Sequence, residues 1–277
     1  NRWGSFWSLG AGWNIHNEGF LKDNEYINRL KLRFSTGYTG SQGFSTYEAM
    51  STLKYYGAKS YNGYIGSYLV GLANPDLRWQ KKLDNSIGVD FTFFKNRLNG
   101  RFDYYTAVTK GMLTDITVPP STGFYSYREN MGETENKGYE AYLNFRAFDH
   151  KASKSYVNIF ASVARNKNKI TKISNSLKKF NEDQDADKNQ ADNAANKNDI
   201  TTPSVRFEEG QSMSAIWAVP SLGIDPQNGK EIFVKKDGSV TYQWNAEDQV
   251  VCGDTQPEFT GNFGFNSEIK GFGISAT

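Results

Sequence analysis

The chain has little of what most enzyme and nucleic-acid sites are built from. Its 277 residues contain one cysteine, Cys252, so no disulfide closes within the chain and no multi-thiolate zinc site can be assembled. Two histidines, His16 and His150, stand far apart with no evident catalytic or metal partner in their local sequence. Proline is scarce at 7, which suits long uninterrupted strands. Neither sign of charge dominates: 32 basic and 30 acidic residues argue against a nucleic-acid partner, which concentrates positive charge. Glycine-bearing stretches such as "GFGIS" and "GETENKG" are not phosphate loops, because no helix follows them. The N-terminal "NRWGSFWSLG" has no basic-then-apolar leader pattern. No window approaches the roughly 18 consecutive apolar residues of a transmembrane helix. Mean hydropathy is −0.65, yet a membrane strand needs only about 10 residues, half of them apolar, and escapes such averages.

What is present is aromatic and alternating. Phe, Tyr and Trp make up 15% of the chain, and glycine numbers 26, a composition suited to twisted strands and tight turns. Apolar residues recur with period two, interrupted by a few small or polar residues, from Trp3 to Ile15, Leu30 to Tyr38, Leu83 to Phe93 and Leu98 to Val108. The same period recurs at Tyr139 to Phe145, Val157 to Val163, Phe259 to Ile269 and Phe272 to Ala276. Period two predicts about eight strands, with no convincing helical period between them.

The links sort into two classes. Short ones fall near 16–29, 95–97, 149–155 and 270–271; long ones fall near 40–82, 110–137 and 166–258. Up-and-down pairing puts every short link at one end and every long link at the other, the layout of outer-membrane barrels. The expected fold is all-β, an antiparallel transmembrane barrel wall. Ile87, Val89, Phe91 and Phe93 then face lipid, and their neighbours face a wet interior. Trp3, Trp13, Tyr104 and Tyr105 are expected in aromatic girdles. Two other architectures fit the same alternation: a soluble β-rich carbohydrate-binding module, and a self-contained eight-stranded barrel serving as adhesin or anchor.

Several stretches, "FLKDNEYINRLKLRFSTGYTGSQ" (20–42), "NPDLRWQKKLDNSIGVDFTFFKNRLNGRFDYY" (74–105) and "NMGETENKGYEAYLNF" (130–145), resemble signatures of the SusC/RagA-like TonB-dependent outer-membrane transporters. "LGIDPQNGKEIFVKKDGSV" (222–240) and "GDTQPEFTGNFGFNSEIKGFGIS" (253–275) extend the likeness over almost the whole chain. The resemblance implies a barrel of about 22 strands, of which residues 1–277 supply an internal portion of about eight, without the plug domain. It implies location in the bacterial outer membrane and import of an oligosaccharide or peptide. The implied partners are a SusD-like lid lipoprotein, the bilayer, and TonB acting through an N-terminal part outside this chain. It implies neither enzyme activity nor a cofactor.

Candidate residues follow from the alternation and the loops. Asp90, Arg101, Asp103, Glu140 and Arg146 are expected on the inner face, as a polar track or as structural ion pairs. Tyr55, Tyr56, Tyr61 and Tyr64 in one loop, and Tyr125, Tyr127 and Arg128 in another, are candidates for binding substrate or lid. Aromatic faces stack on sugars and pack on peptides, and Tyr and Arg are favoured at interfaces; packing of loop on loop is the third reading. Gly4, Ser8, Gly10 and Gly12 line one face of the first strand, giving clearance for a plug or simply room to twist. Lys95-Asn96-Arg97 reads as a solvated hairpin turn. The polar run 181–199 spaces Asp183, Asp185 and Asp187 like the start of a calcium loop. Lys188 and Ala194 then break that pattern, so no metal site is expected and a solvated loop is.

Overall fold

The structure is a computed structural model, describing residues 4–22, 24–43, 50–117, 122–124, 126–130, 132–153, 155–190 and 206–277. In chain order the strands begin with β1 (Trp7–Asn14), β2 (Ile27–Ser41), β3 (Leu53–Tyr61), β4 (Tyr64–Leu69), β5 (Gln80–Phe93) and β6 (Leu98–Lys110). β7 (Leu113–Thr117), β8 (Ser126–Asn130), β9 (Gly132–His150) and β10 (Ser155–Ile173) lead into helix α1 (Asn175–Gln190). The remainder are β11 (Ala215–Ala218), β12 (Ser221–Ile224), β13 (Glu231–Val234), β14 (Val240–Thr241), β15 (Val250–Asp254), β16 (Thr260–Ile269) and β17 (Phe272–Ala276).

The eight strands expected from period two form one antiparallel sheet, ordered β1-β2-β5-β6-β9-β10-β16-β17. Its strands are neighbours in the order in which the chain supplies them, an up-and-down meander. The sheet is open, with β1 and β17 as its two edges, so it is a segment of wall rather than a closed eight-stranded ring. Among the described residues no helix is long and apolar enough to cross a membrane.

Register carries the alternation across the sheet. Leu32 pairs with Val89, Val89 with Phe102, Phe102 with Ala141, and Ala141 with Val163. Four residues along, Phe93 pairs with Leu98, Leu98 with Phe145, Phe145 with Ile159, and Ile159 with Phe265. The result is a continuous apolar face. Among the described residues no second layer covers it: Leu9 is 61% exposed, Phe263 80% and Phe272 81%. A sandwich would bury these rows against a facing sheet.

The tight ends use the residues that their backbones require. Lys270 (φ 51°) and Gly271 (φ 89°) make the two-residue turn between β16 and β17. Between β5 and β6, Phe94, Lys95 and Asn96 all have positive φ, and the Asn96 N–H donates to Asn28 Oδ1 at 3.2 Å. His16 Nδ1 lies 3.1 Å from the Leu30 carbonyl and His150 Nδ1 2.8 Å from Ser153 Oγ, both in the turn region.

The long links hold structure that alternation does not announce. β3–β4, β7–β8, β11–β15 and β12–β13–β14 are small sheets of their own. The expectation of a solvated loop at 181–199 is corrected in part. Residues 181–190 are the last ten of the sixteen residues of α1, while 191–199 lie outside the described residues. Ser174 starts the helix, its Oγ accepting from the Leu177 N–H at 3.3 Å. Leu177 packs with Ile170 and Ile173 of β10, joined by Phe180, Phe207 and Met213. Asn181 clamps the returning chain, donating to the Phe207 carbonyl at 2.7 Å and accepting from the Phe207 N–H at 3.2 Å. Near there, β10 carries a register shift between Ile170 and Lys172, a bulge that moves Lys172 opposite Glu133.

Candidate binding site

The face opposite the apolar rows is polar, and its centre is an ion-pair network. Arg33 on β2 donates from Nε to Asp90 Oδ2 at 2.9 Å and from Nη2 to Asp103 Oδ1 at 2.8 Å. Arg101 donates from Nε to Asp103 Oδ2 at 2.5 Å and lies 4.0 Å from Asp90. Three strands thus meet through two guanidinium groups and two carboxylates. Gly88 makes room for them: it sits between Arg33 and Asp103 in register, and a Cβ there would collide with Asp103 Oδ1 and Arg33 Nη2. Asp90, Arg101 and Asp103 were legible in the alternation. Nothing in its local sequence singles out Arg33, although it shares the polar parity of Lys31 and Ser35.

The other inner-face candidates are placed differently. Glu140 lies opposite Asp103 in register and lines an open hollow with Arg101, Tyr142 and Asn262. Arg146 is near the turn end, apart from the network, donating to Asn158 Oδ1 at 3.2 Å and lying over the Tyr156 ring at 5.9 Å. Tyr105 corrects the girdle expectation. Its parity is that of Asp103, its hydroxyl donates to Asn166 Oδ1 at 3.2 Å, and its ring fills the space above Gly138. Tyr104 and Trp13 do lie on the apolar face, while Trp3 is outside the described residues. Trp7 and Tyr38 add an edge-to-face pair on that same side, with ring centroids 5.8 Å apart.

At the loop end, β3 and β4 raise a tyrosine-bearing hairpin, turned at Asn62 (φ 49°) and Gly63 (φ 80°). Tyr55 is 72% and Tyr64 77% exposed, whereas Tyr56 packs on Tyr68 with ring centroids 4.8 Å apart. Tyr61 pairs with Tyr64 across the turn. Tyr127 stands opposite Ile116 in the β7–β8 hairpin, and Tyr125 lies outside the described residues. Arg128 donates from Nε to Asp115 Oδ1 at 2.8 Å, from Nη2 to Asp115 Oδ2 at 3.0 Å and from Nη1 to the Gly43 carbonyl at 2.7 Å. It therefore ties β8 to β7 and to the end of the β2 link. Asn130 locks the same corner, accepting from the Arg78 N–H at 2.8 Å and donating to the Gly111 carbonyl at 2.7 Å. Among the described residues no group of three or more His, Cys, Asp or Glu could hold a metal, and Asp185 is paired with Arg206 at 2.5 Å.

Hydrogen bonds from Arg128 hold the Asp115 carboxyl below the usual carboxylate range. A depressed folded-state pKa gives stability that is present above the unfolded value, about 4, and is lost as pH falls through the folded value. The β7–β8 hairpin is therefore expected to keep one protease sensitivity from pH 7 to about 5 and to loosen below about 4. Asp115→Asn should give the loosened pattern already at pH 7. The Asp115 side chain is half exposed, so the effect is local rather than global.

The whole arrangement has known counterparts. The family model for the TonB dependent receptor-like β-barrel matches residues 1–272. The chain belongs to the TonB-dependent receptor family. TonB-dependent receptor P3 of Formosa agariphila is 29% identical over 289 residues, covering 98% of this chain and 27% of that protein. TonB-dependent receptor SusC of Bacteroides thetaiotaomicron is 33% identical over 181 residues, covering 62% of this chain and 18% of SusC. A solved structure of the RagAB peptide transporter superposes with a TM-score of 0.77 at 25% identity, over 99% of this chain and 29% of that one. These matches bear out the SusC/RagA-like resemblance and the TonB-dependent receptor barrel fold. The chain spans less than a third of the length of these relatives.

Proposed function

We propose that residues 1–277 form part of the barrel wall of a bacterial outer-membrane transporter that imports an oligosaccharide or peptide under TonB. The activity is capture and translocation, not bond chemistry. A SusD-like lipoprotein closes over the loop end, and TonB acts through a plug carried elsewhere in the whole protein. The observation that carries this reading is the unbroken apolar face with a charged network behind it. An aqueous monomer seldom exposes such a continuous apolar patch, whereas hydrocarbon requires one. This weighs against a soluble carbohydrate-binding module. The exposed tyrosines of β3–β4 support binding at the loop end, since their rings present stacking surface with hydroxyls at the margin.

The test is uptake by the full-length protein in its own cell. Deleting the gene should abolish growth on one class of oligosaccharide or peptide, and so should loss of TonB or of the neighbouring lid lipoprotein. Growth unchanged on every such nutrient, or a full-length protein that stays monodisperse in water without detergent, would refute the assignment. Tyr55→Ala with Tyr64→Ala should weaken substrate or lid binding about tenfold or more, at roughly 1–3 kcal/mol for a stacked ring pair, while folded protein persists. Unaltered binding would remove the hairpin from the site.

A further inference from the structure

The outward parity does not stay apolar up to the loops. Above Ile87, Tyr104 and Tyr139, which share one cross-strand row, β5 and β6 carry Asn85, Thr106, Leu83 and Val108 before Lys81 and Lys110, while β9 and β10 turn charged at once, with lysine in the majority. Lys137 pairs directly with Lys167, the next row sets Glu135 opposite Lys169, and the row above sets Glu133 opposite Lys172 and Lys110. Lys110 in turn pairs directly with Lys81. The bulge after Ile170 is what brings Lys172 onto this parity. Three rows cover about 14 Å along the strands.

Two features of this band call for an anion. Lys81 opposite Lys110, and Lys137 opposite Lys167, are like charges on facing positions of adjacent strands, an arrangement that destabilises a sheet unless something neutralises it. The carboxylates present do not suffice. Lys110 is 3.5 Å from Glu133 and Lys137 is 2.8 Å from Glu135, while Lys81, Lys167, Lys169 and Lys172 make no ion pair among the described residues. The band is also one-sided: the row at the opposite border of the apolar face is Phe93, Leu98, Phe145 and Ile159. An open hollow of about 810 Å³ lies beside it, where Lys81, Lys110, Lys172 and Arg78 line the wall with the carboxylates of Asp76, Glu129 and Glu133.

We infer that this band binds the phosphorylated saccharide headgroup of an outer-leaflet glycolipid, whose acyl chains run down over Leu83, Val108 and Ile87. Charge complementarity selects the headgroup, and continuity with the apolar face selects an amphiphile over a free anion. This inference rests on the reading of the apolar face as lipid-facing. The lysines act as point charges on flexible stems and follow the headgroup rather than fix one geometry.

The experiment uses the full-length protein in lipid nanodiscs, titrated with diphosphorylated lipid A and with the same lipid enzymatically dephosphorylated. Diphosphorylated lipid A should bind at least about tenfold more tightly. Near an anionic surface each lysine is worth about fivefold, so Lys81→Gln, Lys167→Gln and Lys172→Gln together should remove that preference. Arginine at the same three positions should keep it. Equal binding of the two lipids, or a preference that survives the triple glutamine variant, would overturn the inference. So would displacement of lipid A by an equal concentration of inorganic phosphate, which would mark a free-phosphate site. A protein that enters bilayers of neither composition would instead sink the membrane-wall reading, so the two failures are distinguishable.

Discussion

Val89→Arg is expected to cost about 2–4 kcal/mol of folding stability in a bilayer, the penalty of a cation near the hydrocarbon midplane of a barrel. Val89 sits in the middle of the apolar face, between Leu32 and Phe102 in register, two residues inward from the Ile87 and Tyr104 row. A guanidinium there has no water, and its outward neighbours Leu32, Ile87, Phe91 and Phe102 offer no carboxylate. The control is three residues away. Ser86 is on the opposite face, where its hydroxyl meets Ser35 Oγ at 2.7 Å, and Ser86→Lys should cost no more than the lost hydrogen bond, about 1 kcal/mol. Reversible urea unfolding in vesicles of the full-length protein reads both. Equal costs for the two variants would mean that the faces are not in different solvents, and the proposed function would fall with them.

Gly88→Val should cost about 2–3 kcal/mol, with the loss concentrated in the polar network. The glycine is needed for space, since a Cβ meets Asp103 and Arg33 at once. A valine forces Arg33 out of its bonds to Asp90 and Asp103, leaving two carboxylates on one face with Arg101 alone between them. Those carboxylates retain about a fifth of their side-chain exposure, so water softens the loss and the figure stays well below that of a dry buried pair. A double-mutant cycle separates crowding from network loss. In an Arg33→Ala background, Gly88→Val should cost less than half as much. An undiminished cost would place the role of Gly88 in the backbone rather than in the network.

The eight long strands were legible because two independent signals agreed, period two within each strand and a short link at every other connection. The parity of a single residue was legible too, wherever the pattern was applied strictly. Tyr104 and Tyr105 are adjacent in a strand and must point to opposite faces, so the alternation itself allows only one of them in an outward girdle. Arg33 was hidden for another reason. Its partners are 57 and 70 residues away, and only cross-strand register brings them together. α1 escaped because its inward contacts are few. Leu177 and Phe180 are three residues apart in an otherwise polar stretch, too little for a visible stripe, and the helix depends on Ile170, Ile173 and Phe207 from outside it. The β3–β4 hairpin had a readable Asn62-Gly63 turn, but its strands expose both faces and so lack the alternation that marks the barrel strands.

The two unpaired borders at β1 and β17 set a condition on how such a wall can be made. Hydrocarbon offers no partner for a bare amide, so in the membrane placement proposed above both borders need pairing partners before the meander can settle. Its borders must be sealed as it enters, which makes insertion a zippering event directed from outside the segment. Released into water as a piece, the same surface would recruit copies of itself, edge to edge and face to face.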